Sequence, residues 1–171
     1  MERQIKRIYT LGPRGTNCEK AAKAWFKQKK IKGEIRLEPT LEKALEGVKN
    51  DQEAALLSCV VYPDLHKLVF DNINNIEFCE CFVINTFPMV LAARGEEYPR
   101  TISTHPAPEN LIRPFDHIIY STSNSQAALD CAAGKSEGCI TTKQCAKKLK
   151  LKILKNFGEL PMGFALHALK K

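Results

Sequence analysis

Three short stretches of this chain combine glycines, hydroxyls, amides and a cation in a way that suits holding an anion. The first is LGPRGTN at 11–17. Gly12 offers a backbone angle closed to other residues, and Gly15 lets the main chain approach a bound group. Thr16 or Asn17 can cap a following helix, whose free N–H groups and dipole attract negative charge. Arg14 adds a guanidinium able to grip a carboxylate with two hydrogen bonds. A tight strand-to-helix turn without a ligand explains the same residues, and physics alone leaves both readings open.

The pattern recurs at STHPAPEN (103–110) and at STSNSQAA (121–128), each after an extended run and before a helix-like one. Ser123, Asn124 and Ser125 are candidate ligands, although capping alone accounts for one of them. His105 titrates near neutrality and could move a proton; a hydrogen-bonded loop histidine is the plainer reading. Three anion-ready helix starts in a chain of net charge +7 suggest a ligand with more than one carboxylate.

These stretches need strands to end and helices to begin at fixed places. Residues 5–11 read as a buried strand and 17–29 as a helix, with Ala21, Ala22, Trp25 and Phe26 on one apolar face. EIRLEP is a strand by its alternation. TLEKALEGV is a helix with Thr40 as N-cap, and EAALLS is a third strand. This β-α-β-α-β order predicts a parallel sheet with flanking helices. A less regular middle comes next: a short helix behind Pro63, then the strands IEFCECFVIN and MVLAAR. Alternation resumes with a helix starting near Pro106–Pro108 and including Leu111 and Ile112, the strand HIIYS, and the helix NSQAALDCAA. EGCIT, KQCAKKL, KILKNF and GFALHAL then read as strand, helix, strand and strand. Two α/β units joined by extended segments predict two lobes with a ligand cleft between them.

Composition narrows the class. The chain has 171 residues, 44% hydrophobic and 26% charged, which are ordinary proportions for a globular protein. No run approaches the ~20 apolar residues of a membrane span, and MERQIKRIYT lacks the apolar core of a signal peptide. A cytoplasmic protein is expected. The seven cysteines form no CxxC pair and are odd in number, which argues against a secreted disulfide framework. Cys79 and Cys81 share one face of a strand and would suit a metal, but reduced thiols filling small apolar sites are the favoured reading. No metal and no cofactor is indicated. Lysine clusters such as KKLKLKILK fall on polar faces with few aromatics among them, so a solvated face is preferred to a nucleic-acid surface.

The motifs themselves resemble those of a known family. YTLGPRGTNCEKAA is similar to the opening Leu-Gly-Pro-x-Gly-Thr motif of prephenate dehydratases, STHPAPENLI to their Ser-His-Pro segment, and STSNSQAA to their Ser-Thr-x-x-Ala-Ala segment. Order and separation match along almost the whole chain. The resemblance implies a prephenate dehydratase-like domain, an α/β fold of the two-lobed periplasmic-binding-protein type II kind. Lobe 1 would take about 1–84 plus the strand at about 160–171, lobe 2 about 85–159, with no regulatory domain. Dimers are common in the family, so a homodimer is expected by resemblance.

The departures from that family are specific. Its Thr-Arg-Phe, whose threonine is central to losing the hydroxyl, is replaced here by the region GELPMGFALHAL, with Pro161, Met162 and Gly163 in its place. Its Glu-Asn-Ser is replaced by LLSCVVYPD, which makes Ser58 and Cys59 candidate cleft residues, with strand-end packing an equal reading. A branch of the family, the prephenate decarboxylase of the bacilysin pathway, lacks Thr-Arg-Phe too and resembles this chain at LGPRGTNCEKAA, HPAPENLI, SNSQAA and LPMGFAL. That implies loss of carbon dioxide from prephenate with the ring hydroxyl kept, in specialised amino-acid or antibiotic biosynthesis. Arg14, Gly15, Thr16 and Asn17 would then bind one carboxylate. Ser123, Asn124 and Ser125 would bind the pyruvyl side, Met162 would line an apolar wall, and His105 would give a proton to carbon. A dehydratase giving phenylpyruvate, and a non-catalytic binding module for an anionic small molecule, are the alternatives; a nucleic-acid or membrane partner is not expected.

Overall fold

The computed structural model describes residues 4–111 and 117–171. The expected helix residue Ile112 lies outside them. The chain divides into two compact units, one ending at Ile84 and taking back Met162–Lys171, the other Asn85–Pro161.

In the first unit β1 (Arg7–Leu11), α1 (Asn17–Lys29), β2 (Glu34–Glu38), α2 (Leu41–Lys49) and β3 (Ala54–Cys59) follow the expected alternation. α3 (Leu65–Asp71) and β4 (Ile76–Asn85) come next, and β10 (Pro161–Leu169) returns from the far end of the sequence. The sheet order is β2-β1-β3-β10-β4. β1 pairs parallel with β2 and β3, whereas β10 runs antiparallel to β3, with Leu166 opposite Leu57. The sheet is therefore mixed, not wholly parallel: its return strand is joined by about a hundred intervening residues, which local periodicity does not register. α1 buries Cys18, Ala21, Ala22, Trp25 and Phe26. That spacing places all five on one stripe. Burying a side chain the size of Phe26 contributes about 1.5–3 kcal/mol.

The second unit holds β5 (Met89–Ala93), β6 (Thr101–Thr104), β7 (His117–Tyr120), α4 (Asn124–Ala132), β8 (Gly138–Thr142), α5 (Lys143–Lys148) and β9 (Lys152–Gly158). Its sheet order is β7-β6-β8-β5-β9. β6 pairs parallel with β7 and β8, while β5 is antiparallel to β8 and β9. β5 reads MVLAA and is buried along its whole length, as a central strand must be. Where a helix was expected from Pro106–Pro108, the described residues form a three-residue 3-10 turn, Glu109–Leu111. The Glu109 and Leu111 N–H groups donate to the Pro106 and Pro108 carbonyls at 3.3 and 3.0 Å, the three-residue reach of a 3-10 turn.

Candidate functional site

The start of α1 is built by two glycines with different tasks from those expected. Gly12 does not use a left-handed angle; its N–H donates to the Glu38 carbonyl at 2.7 Å, and a Cβ there would stand 3.2 Å from Leu37 Cβ. It is small because the end of β2 is close. Gly15 carries the positive angle, φ 89°. Thr16 is the N-cap: its hydroxyl accepts from the Glu19 N–H at 3.2 Å and donates to the Leu11 carbonyl at 3.1 Å. Glu19 reaches back, and its carboxylate accepts the Gly15 N–H at 2.6 Å while Lys23 holds its other oxygen at 2.5 Å. The result is a variant of the capping box. Burial opposes the charge of Glu19, but Lys23, the Gly15 N–H and Arg14 outweigh it and hold the carboxyl below its usual range. One of the N–H groups read as anion-ready thus already carries an internal carboxylate. Arg14 is exposed and makes no hydrogen bond or ion pair among the described residues, and Asn17 is the half-buried first residue of the helix.

In the second unit the parallel strands β6, β7 and β8 end on one edge of their sheet, so the residues just after each strand are brought near one another. His105 comes directly after β6. Its Nδ1 accepts the Ala107 N–H at 3.2 Å, which leaves the proton of a neutral ring on Nε2. Burial pushes its pKa below the ordinary 6.5. After β7, Ser123 caps α4, accepting the Gln126 N–H at 3.0 Å. The Ser125 hydroxyl lies 3.4 Å from the Cys145 sulfur. The Asn124 carbonyl accepts from the Thr141 hydroxyl at 2.5 Å, across from β8, while its side-chain Oδ1 is buried with no hydrogen-bond partner among the described residues.

Sequence reading missed Thr141 and Asp130. Asp130, 6% exposed, accepts from Ser121 at 2.7 Å, Gln126 at 3.1 Å and Lys135 at 2.8 Å. Burial works against its charge, but these donors prevail and keep the carboxyl low. The network ties the end of β7 to α4. The Gln126–Asp130 spacing was a visible helical pair, whereas Ser121 and Thr141 meet α4 only through the fold.

Ser58 and Cys59 stay in the first unit's sheet. Ser58 is fully buried and donates to the Ala165 carbonyl at 3.4 Å. Burial raises the Cys59 thiol above its usual range and pushes the neighbouring Cys18 thiol up to about 12, so both remain protonated near neutral pH. Met162 is half-buried against the same core, at the start of β10. A side chain on Gly163 would meet Val60 at 3.1 Å, a tight contact that Val60 would have to yield to. Cys79 and Cys81 are exposed, and no group of three metal-ligating side chains occurs among the described residues. Among those residues no helix is long and apolar enough to cross a membrane.

The structure therefore gathers Ser123, Asn124, Ser125, Thr141 and Cys145 in one unit, and Arg14, Gly15, Thr16, Asn17 and Glu19 in the other.

No protein-family model matches the chain. It is 28% identical to the prephenate decarboxylase of Bacillus subtilis over 178 positions, which cover 93% of this chain and 84% of that protein. The prephenate dehydratase of Arthrobacter aurescens, solved with L-Phe, superposes with a TM-score of 0.69 at 20% identity over 96% of this chain. This chain spans 61% of that dehydratase chain. A periplasmic His/Glu/Gln/Arg/opine family-binding protein from Silicibacter pomeroyi, solved with lysine, superposes with a TM-score of 0.54 at 7% identity, over 96% of this chain and 82% of that one. The resemblance read from three motifs thus extends over nearly the whole sequence, and the fold is that of prephenate dehydratase domains and related binding proteins.

Proposed function

We propose that this prephenate dehydratase-like chain is a lyase that removes carbon dioxide from prephenate without making the ring aromatic. The observation that carries the reading is Pro161-Met162-Gly163 at the start of β10, the place to which the resemblance assigns the dehydratases' Thr-Arg-Phe. Losing the ring hydroxyl requires an acid to protonate it. Met162 has no proton to give, and a side chain on Gly163 would press against Val60 at 3.1 Å. An apolar wall also disfavours a charged ring carboxylate relative to neutral carbon dioxide.

In this reading the start of α1, with Arg14, Gly15, Thr16 and Asn17, holds one carboxylate. The start of α4, with Ser123, Asn124 and Ser125, takes the other end of the molecule. As the bond from the ring to its carboxylate breaks, the electron pair moves into the ring diene, and a ring carbon takes a proton from His105. The product keeps its oxygen and suits specialised amino-acid or antibiotic biosynthesis; a cytoplasmic homodimer completes the proposal.

The test is incubation of the purified protein with prephenate, then ultraviolet absorbance and mass spectrometry of the products. Carbon dioxide released with the oxygen retained supports the proposal. Phenylpyruvate as product would make the chain a dehydratase. No product above the rate of prephenate left alone would make it a binding module for an anion.

A further inference from the structure

Buried polar atoms in folded proteins nearly always have hydrogen-bond partners, so the exceptions need a reason. Among the described residues two side-chain atoms are buried without one, His167 Nδ1 and Asn124 Oδ1. His167 lies in β10 with its ring against that of Phe78, inside the first unit. Asn124 is different, because it opens α4 beside the stretch whose residue types suit a ligand.

Its main chain is held in place. The Thr141 hydroxyl donates to its carbonyl at 2.5 Å, Ser123 before it caps the helix, and Ser125 after it meets the Cys145 sulfur at 3.4 Å. The hydroxyls on either side are thereby engaged within the unit. The amide oxygen between them is an acceptor only, and leaving it unpaired in the interior is unfavourable. A carboxylate has no proton to offer it, so the pyruvyl carboxylate expected at this residue is a poor partner. A hydroxyl is a good one.

We propose that Asn124 Oδ1 accepts a hydrogen bond from a hydroxyl of the substrate, which on the prephenate reading, on which this inference rests, is the ring hydroxyl. This makes Asn124 the residue that selects a hydroxylated ligand. It also bears on the outcome of the reaction. A hydroxyl that donates to an amide oxygen is held in its neutral form by a group with no acidic proton, so the carbon–oxygen bond is not activated for departure. No bond to Asn124 forms or breaks.

Binding is measured on the full chain for prephenate and for the same dicarboxylate with hydrogen in place of the ring hydroxyl. The unsubstituted protein is expected to prefer prephenate by about tenfold or more, because a buried acceptor left unpaired penalises the analogue. Asn124→Leu should bind both ligands alike, at the level of the analogue. Asn124→Ala serves as the second variant if leucine impairs folding, which circular dichroism reports. Equal binding of the two ligands by the unsubstituted protein overturns the assignment while leaving the prephenate reading intact. So does an equal loss of both ligands in Asn124→Leu and Asn124→Ala, which marks a structural role. Binding of neither ligand by the unsubstituted protein overturns the prephenate reading, and this inference with it.

Discussion

The carboxylate of Glu19 accepts the backbone N–H of Gly15 at 2.6 Å, four residues earlier in the chain. An anion from outside would compete for that N–H with one already tethered beside it. Glu19→Gln removes the charge while keeping a side chain that can still cap. The Michaelis constant for prephenate is expected to fall severalfold in steady-state kinetics. An unchanged constant would separate the start of α1 from substrate binding.

Arg14 stands exposed in the same turn. Arg14→Ala should raise the Michaelis constant at least severalfold, through loss of a charge-assisted contact to a carboxylate. Because Arg14 is also a source of the field that keeps Glu19 ionised, the double variant with Glu19→Gln should be less than additive. Kinetics of the two single variants and the double variant provide the comparison.

His105 as proton donor must carry its second proton. Burial pushes its pKa below 6.5, so the donor form is populated on the acid side of neutrality. The rate of product formation should therefore rise as pH falls from 7 toward the lowered pKa, and His105→Gln should remove this dependence together with most of the activity. A flat pH profile in the unsubstituted protein would take His105 out of the proton step.

Stability should depend on pH through the same histidine and His167, both lowered by burial. The folded state holds each ring neutral, while the unfolded chain takes up its proton near 6.5. Below that pH the unfolded state binds more protons, so unfolding becomes easier. The stabilising contribution is complete above the unfolded value and is lost as pH falls through the lowered folded values. Urea midpoints should drop between pH 7.5 and 5.5, less steeply in His167→Leu.

Asp130 gathers Ser121, Gln126 and Lys135 on one buried carboxylate. Asp130→Ala leaves the Ser121 hydroxyl without its acceptor and should cost about 2 kcal/mol. Chemical denaturation measures the loss, and Asp130→Asn, which retains an acceptor, should recover part of it.

Much of this molecule is local and was legible in the order of its residues. Thr16, Thr40 and Ser123 each accept an N–H three residues ahead, an interaction that closes within one turn and needs no distant partner. The apolar stripe of α1 and the unbroken apolar run of β5 arise from spacing alone. The motifs at 11–17 and 121–128 were visible for the same reason, since a strand end, a small residue and a cap are neighbours in the chain.

Partners far apart in sequence were decided only by the tertiary structure. β10 pairs with β3 across about a hundred residues, and it is this pairing that buries Ser58 against Ala165 and brings Val60 close to Gly163. Gly12 and Gly15 were both recognised, yet their tasks were exchanged, because the neighbour that crowds Gly12 is the end of another strand. Asn124 was legible as a polar residue at a helix start; its orphaned oxygen was not, since the Thr141 hydroxyl that holds its carbonyl and the Cys145 sulfur that meets Ser125 come from β8 and α5. Caps and stripes are written in the sequence because their energies are local. Which polar atom remains without a partner depends on every element packed around it, and only the assembled fold sets that.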